Sequence, residues 1–370
     1  MTKRNLPLAA RAVLSAATIA GLLPACGTAQ SDGNVERTAR AEGAVTQTVT
    51  QTRHKYGAIL ETPEQIQSKL LTVAPRALAA QAAAALPTSV DLSSKLPPVG
   101  DQGSLGSCVG FAVAYATKTF QEVVEMKWLP DATDHEFSPS WIYNQLCNGS
   151  PHGIGVGDAL NLVVTKGCDT VSSFPYNQND WTTQPNANSM SRAAHYRAKS
   201  YNPLTVSSDN IRTILAGGNV VVAAFNVLPD LIQMNGTTNT VYDDPNGTEP
   251  VETISPCPSD CTSICNSSTA CGTCNTTTNV CTVPACNTPP CVLGGHAVAI
   301  VGYDDNAQKF KFINSWGASW NGNGYGWLPY SFITNAWLGM GAYVLIDGPN
   351  VPGLQDSTMT WFESAQILLE

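Results

Sequence analysis

The apolar residues of this chain change their spacing partway along it, and that change limits the fold more than any other feature. From Ser107 to Val124, "SCVGFAVAYATKTFQEVV", they recur at helical intervals, with Phe111, Ala114, Tyr115 and Phe120 among them. "GVGDALNLVVTKG" repeats the pattern and stops at Gly167, a residue suited to ending a helix. Beyond residue 205 the period becomes that of strands, in "NVVVAAFNV", "GHAVAIVGYDD", "KFKFINSW" and "GAYVLID". Helices first and strands second predict an α+β protein with a helical half at about residues 100–204 and a β half at about 205–348. A chain of 370 residues is long enough to bury both cores.

The flanking regions differ in character. Lys3, Arg4 and Arg11 surround the start of an apolar run, "AVLSAATIAGLL", with the length and flanks of an export signal, too short to span a membrane. "LPAC", Leu23–Cys26, resembles the lipobox of bacterial lipoproteins, which makes Cys26 the lipidation candidate. Pro24 is unusual in such a box, so cleavage after "GTA" is the alternative. Residues 1–26 are read as a signal peptide, and the protein as exported, either a bacterial cell-envelope lipoprotein or secreted.

Residues 27–86 are a propeptide or linker, polar and poorly ordered to about residue 58. Within them "TPEQIQSKLL" predicts a helix, with Thr62 as N-cap, Pro63 at the first position and Gln65 closing a capping box. Ile66 and Leu70 share one face of it. An Ala-rich connector, "RALAAQAAAALP", leads into an extended entry, "SVDLSSKLPPVGDQG", and residues 349–370 form a C-terminal tail. A net charge of −9 with no basic stripe excludes a nucleic-acid partner.

Between the predicted strands lies a segment of another kind. Cys257, Cys261, Cys265, Cys271, Cys274, Cys281, Cys286 and Cys291 sit among Thr, Ser, Asn and Pro, with almost no large apolar residue. Such an insertion, residues 257–291, cannot build a hydrophobic core and needs covalent staples, which an oxidising compartment supplies. Zinc fits less well, because "CGTC" is one close pair without a matching second and the segment holds no His. No metal or cofactor is expected.

Chemistry concentrates elsewhere. A thiol nucleophile needs a depressed pKa, a base, and donors for the oxyanion formed on attack at a carbonyl. Cys108 opens a predicted helix, where unpaired N–H groups and the dipole favour a thiolate. Gly103, Gly106 and Ser107 allow a tight turn before it, and Gln102 offers a side-chain N–H to the same oxyanion. Of five histidines, His54 falls in the propeptide, and His135, His152 and His195 have polar or loop-like settings. His296 opens a strong strand behind Gly294 and Gly295, which leave room beside its ring; alone it reads as a core histidine. Asn314, at the end of a later strand, can accept from one imidazole nitrogen and aim the other at a thiolate, with Trp316 as cover.

"DQGSLGSCVGFA", "GGHAVAIVGYDD" and "INSWGASWNGNGYG" together resemble the papain-type cysteine peptidases, over roughly Pro87 to Asp347. The resemblance implies a two-lobed domain at residues 87–348, helical half and β-barrel half, with the active site in the cleft between. It implies Cys108 as nucleophile, His296 as base, Asn314 as orienting residue and Gln102 in the oxyanion hole, supported by Gly106, Ser107, Gly295 and Trp316. The implied activity is peptide-bond hydrolysis through a thioester acyl-enzyme. The protein is then a monomeric zymogen acting on protein or peptide substrates, touching a membrane only through its N-terminal lipid.

Two residues depart from the family: Val109 stands where an aromatic is usual, and Leu105 where a disulfide-forming cysteine is usual. His296 lies 188 positions after Cys108, against about 130–150 in the family pattern; the Cys-rich insertion accounts for most of the excess. Cysteine parity gives a further expectation. Of 12 cysteines, Cys26 is lipidated, eight pair within the insertion and Cys147 pairs with Cys168, leaving Cys108 as the free thiol. A catalytically silent binding protein using the insertion, and a cell-wall transpeptidase or amidase with the same thiol chemistry, are the alternatives.

Overall fold

The computed structural model describes residues 54–62, 86–130, 133–227, 294–334 and 339–347, the strand segments 35–39, 47–51, 252–255, 273–277 and 280–283, and positions 64, 65, 68 and 231. The predicted nucleophile helix is present as α1, three consecutive segments, Cys108–Gly110, Phe111–Lys118 and Thr119–Met126. The middle segment is wound as a π-helix. Helix α2 spans Pro139–Leu146 and starts as its sequence dictates, with Ser138 accepting from the Trp141 N–H and Pro139 in the first turn. Helix α3, Val156–Lys166, ends at Gly167, whose φ of 80° and contact with the Ala193 carbonyl require a residue without Cβ. Helices α4, Ala187–Ala193, α5, Ser208–Ala216, and α6, Tyr330–Thr334, follow along the chain.

The strands in chain order are β1 Val35–Ala39, β2 Gln47–Gln51, β3 Ala58–Ile59, β4 Ser89–Asp91, β5 Ile154–Gly155, β6 Ser200–Pro203 and β7 Val221–Val227. They continue as β8 Glu252–Ser255, β9 Thr273–Asn275, β10 Val280–Val283, β11 Gly294–Asp304, β12 Lys309–Ile313, β13 Tyr325–Pro329 and β14 Gly339–Ile346. The β half is a seven-stranded antiparallel sheet, β13-β12-β11-β7-β14-β6, with β4 added to β11. A bulge between Ile300 and Gly302 divides β11. Its first part pairs with β7 and its last three residues with β4.

Each half has its own core. Val109, Val113, Trp141, Ile142, Leu160 and Val163 are buried together in the helical half. Phe225, Val298, Ile300, Phe312, Leu328 and Val344 are buried in the β half. A third cluster joins Ala116 and Phe120 of α1 to Val220, Ala299, Val301 and Ile313, so the nucleophile helix is packed directly against the strands. This is the α+β, two-lobed arrangement that the change of period predicts.

One local expectation holds and two change. The capping box forms as predicted, Thr62 N–H donating to Gln65 Oε1 at 2.8 Å and Gln65 N–H to Thr62 Oγ1 at 3.2 Å; Pro63, Ile66 and Leu70 lie outside the described residues. Residues 35–39, 47–51 and 54–59, read as poorly ordered, instead supply β1, β2 and an extended segment ending in β3. Their polar sequence lacks apolar periodicity because their pairing uses main-chain groups, which composition does not record.

The predicted Cys147–Cys168 bridge does not exist: both are free, buried thiols, as is Cys108. Cys147 closes the C-terminus of α2, its thiol donating to the Trp181 carbonyl at 3.3 Å. Cys168 faces the Ser138 carbonyl at the other end of the same helix, 4.0 Å away. Eight helical residues separate the two, about 12 Å, whereas a disulfide needs Cα atoms within about 7 Å. Cys274 and Cys281 are at facing register positions of β9 and β10. Cys26, Cys257, Cys261, Cys265, Cys271, Cys286 and Cys291, with the tail 349–370, lie outside the described residues.

Candidate active site

Cys108 is the first residue of α1, and the N-cap Ser107 makes no side-chain cap bond. Ser107 is used differently. The Tyr176 hydroxyl donates to the Gln102 carbonyl at 2.7 Å, so the Ser107 hydroxyl, 2.7 Å from it, is the donor to Tyr176. This bond pair bolts the turn before the nucleophile to the Gln102 loop. Gln102 is also fixed from the β half. Its backbone N–H donates to the Ser315 carbonyl at 2.8 Å, and its Oε1 accepts from Ser315 Oγ at 2.7 Å. With Oε1 so held, the amide N–H groups must point the other way. One reaches the Leu105 carbonyl at 2.7 Å and one the Lys55 carbonyl at 2.8 Å.

His296 stands on β11 opposite Phe225 of β7 and is wholly buried. Its Nε2 lies 2.8 Å from Asn314 Oδ1, an oxygen that also accepts from the Ser315 N–H at 2.8 Å. Nε2 is therefore the protonated nitrogen, and Nδ1 keeps its lone pair with no hydrogen-bond partner. Trp316 covers the imidazole with ring centroids 4.8 Å apart. Asn314 follows β12, and Asp101 bridges to Trp316, so the Gln102 loop and the Asn314–Trp316 segment form one unit across the cleft.

Burial sets the charge state. It pushes the Cys108 thiol up to about 11, against the opposing pull of nearby backbone N–H groups, Ala297 and Gly57 first among them. Burial likewise pulls His296 down to about 4, although its bond to Asn314 favours the charged form. Thiol and imidazole are thus both neutral here.

The cause of that burial is the chain's own residues 54–61. His54 stacks on Trp316 at 5.4 Å with rings 5° from parallel, and lies near Asp101 at 3.5 Å and the Gly103 carbonyl at 3.1 Å. Lys55 places its carbonyl on the Gln102 amide. Gly57 crosses Gly106 so closely that a Cβ on Gly57 would lie 1.7 Å from the Gly106 oxygen. The Gly57 carbonyl accepts from the Ile154 N–H at 2.9 Å, and β3 pairs in parallel with β5. Gly295 is bare because the Ala58 oxygen would lie 2.2 Å from its Cβ. Glu61 ends the strip, buried, accepting from the Gly157 N–H in the first turn of α3 at 2.7 Å.

Gln102, Gly106, Ser107, Cys108, Gly295, His296, Asn314 and Trp316 are thus brought to one place. Sequence reasoning missed Tyr176 and Ser315, which position Gln102, and the path of residues 54–61. Ser315 carried a signal, since it lies between Asn314 and Trp316 in "INSW"; Tyr176 carried none.

A family model described as papain family cysteine protease matches residues 265–336, a stretch holding His296 and Asn314. An uncharacterized peptidase C1-like protein of Acanthamoeba polyphaga mimivirus is 44% identical over 43 residues, 12% of this chain and 14% of that protein's length. Among solved structures, xylellain, a cysteine protease from Xylella fastidiosa, superposes with a TM-score of 0.59 at 23% identity, covering 80% of this chain and 98% of that one. A procathepsin B from Trypanosoma congolense gives 0.55 at 17% identity, covering 79% and 86%. Helical half, antiparallel sheet and cleft are the fold of these proteases, and residues 265–336 match the papain family cysteine protease model.

Proposed function

We propose that the chain is an exported cysteine endopeptidase held latent by residues 54–61. The observation that carries this reading is the Lys55 carbonyl on the Gln102 amide, beside a buried Cys108 and an imidazole whose Nδ1 is free to accept. In the open enzyme a substrate carbonyl takes the place of that of Lys55. His296 Nδ1 accepts the thiol proton, the Cys108 sulfur bonds to the carbonyl carbon, and the oxyanion receives N–H groups of Gln102 and Cys108. The C–N bond breaks as the imidazolium protonates the amine, leaving a thioester. Water, deprotonated by His296, cleaves the thioester to acid and restores the thiol.

Substrates are polypeptides. Export, the lipid on Cys26 and disulfides within 257–291 belong to this reading through the N-terminal signal and the cysteine-rich composition. Substituting Cys108→Ala in a chain freed of latency is expected to end peptide cleavage. Full cleavage without Cys108 would remove the reading, and an amide product formed with an added amine would assign transpeptidation instead.

Latency has a pH window. Docking buries His296 and also His54, where desolvation outweighs the pull of Asp101 and the Gly103 carbonyl. Both docked histidines bind protons less readily than free ones, so this part of docking stability is present above the ordinary 6.5 and fades as pH falls below it, towards about 4 in the case of His296. Cys108 has the opposite sign: its raised value supports docking below the ordinary 9.0, a support lost as pH rises towards 11. Reaction of Cys108 with iodoacetamide, corrected for thiolate fraction, is expected to be slowest between about pH 6.5 and 9. A corrected rate flat from pH 4 to 8 would contradict the assignment.

A further inference from the structure

The Cys-rich region is the one sequence motif that the proposed chemistry leaves without a role. Its backbone shares a five-stranded sheet with the leader, in the order β2-β1-β8-β10-β9. Strand β1 is internal to that sheet. It faces β2 over five register pairs, Val35↔Gln51 to Ala39↔Gln47, and β8 over four, Glu36↔Ser255 to Ala39↔Glu252. Strand β8 is continued by β10, and β10 by β9, where Cys281 faces Cys274. Two strands of the leader thus sit on the β8 edge of a three-stranded unit built from residues 252–283. The leader strand "VERTA" is not an apolar anchor; antiparallel main-chain pairing of the kind used in strand addition carries the contact.

The position of this sheet along the chain links it to the cleft. Gln51, the end of β2, is three residues from His54, which lies on Trp316. Three residues span at most about 11 Å. The docked hairpin therefore fixes one end of the strip that covers Cys108, and tethering so close raises the effective concentration of that strip at the cleft.

We infer that strands β8, β10 and β9, the last two within the Cys-rich region, are a strand-docking platform for the leader hairpin, and that this second attachment maintains latency. The inference rests on the reading of residues 54–61 as the inhibitory strip. It gives this region a partner, the chain's own residues 35–51, and makes its strands a clamp on the strip that covers the cleft.

The test uses the full chain, with the rate of iodoacetamide alkylation at Cys108 read by peptide mass spectrometry, and needs no peptide hydrolysis. Thr38→Pro in β1 removes a backbone donor and blocks pairing. Thr253→Pro does the same from the β8 side of that register pair. Each is expected to raise the rate about tenfold, and the double variant no further than the faster single, because both break one interface. Gly57→Val, which acts only in the cleft, serves as the reference. An unchanged rate for Thr38→Pro beside a raised rate for Gly57→Val overturns the platform and leaves the inhibitory strip standing. Multiplying effects in the double variant overturn it too. If Gly57→Val leaves the rate unchanged, the inhibitory-strip reading falls and the platform with it. Should Thr253→Pro fail to fold, Thr38→Pro decides alone.

Discussion

Full-length protein carrying Gly57→Val is expected to hydrolyse peptides about 10- to 100-fold faster than the unaltered chain. A Cβ at Gly57 would lie 1.7 Å from the Gly106 oxygen and 2.3 Å from its carbon, both main-chain atoms on the turn before Cys108. Neither a side-chain rotation nor a small shift relieves that overlap. The strip must leave, taking the Lys55 carbonyl from Gln102 and the Gly57 carbonyl from Ile154. Gly57 lies on the inhibitory strip and belongs to neither core, so the enzyme itself is unaltered. An activity ratio near one, with peptide turnover detectable in both chains, would mean that residues 54–61 do not limit access.

His296→Ala, made in the Gly57→Val chain, is expected to lower kcat/KM by about 10²–10⁴. The imidazole is the base and the later acid of the proposed cycle, and no second histidine bonds to Asn314. Losing it also removes the ring beneath Trp316, so a modest fall in Tm should accompany an unchanged circular dichroism spectrum. Retained activity with an intact fold would refute the role of His296 as base.

How much of this was readable beforehand follows from the range of each interaction. The helical and β halves were legible because apolar period is a local property, and α1, α3, β7, β11, β12 and β14 all follow it. Cys108, His296 and Asn314 were legible because each sits at or near the end of such an element, and Gln102 because it precedes Cys108 in the same Gly-rich motif. Tyr176 was not, because its role arises only where residues 74 positions apart meet at the Gln102 carbonyl. The strip 54–61 was hidden for a related reason: main-chain bonds and bare glycines hold it, and neither leaves apolar periodicity. Cysteine parity failed on distance. It counted Cys147 and Cys168 as a pair although α2 stands between their two thiols. Parity thus lent Cys108 a support that it does not have; its standing comes from the start of α1 and from the converging Gln102 and His296.

The most direct measurement of the central claim is the intact mass of wild-type and Gly57→Val chains after exposure to an epoxysuccinyl reagent, with the adduct mapped. Among the described residues three buried free thiols compete for it, Cys108, Cys147 and Cys168. A single adduct on Cys108 is expected in Gly57→Val, forming at least about tenfold faster than in the wild-type chain. Equal rates in the two chains, or an adduct on Cys147 or Cys168 with Cys108 untouched, would contradict it.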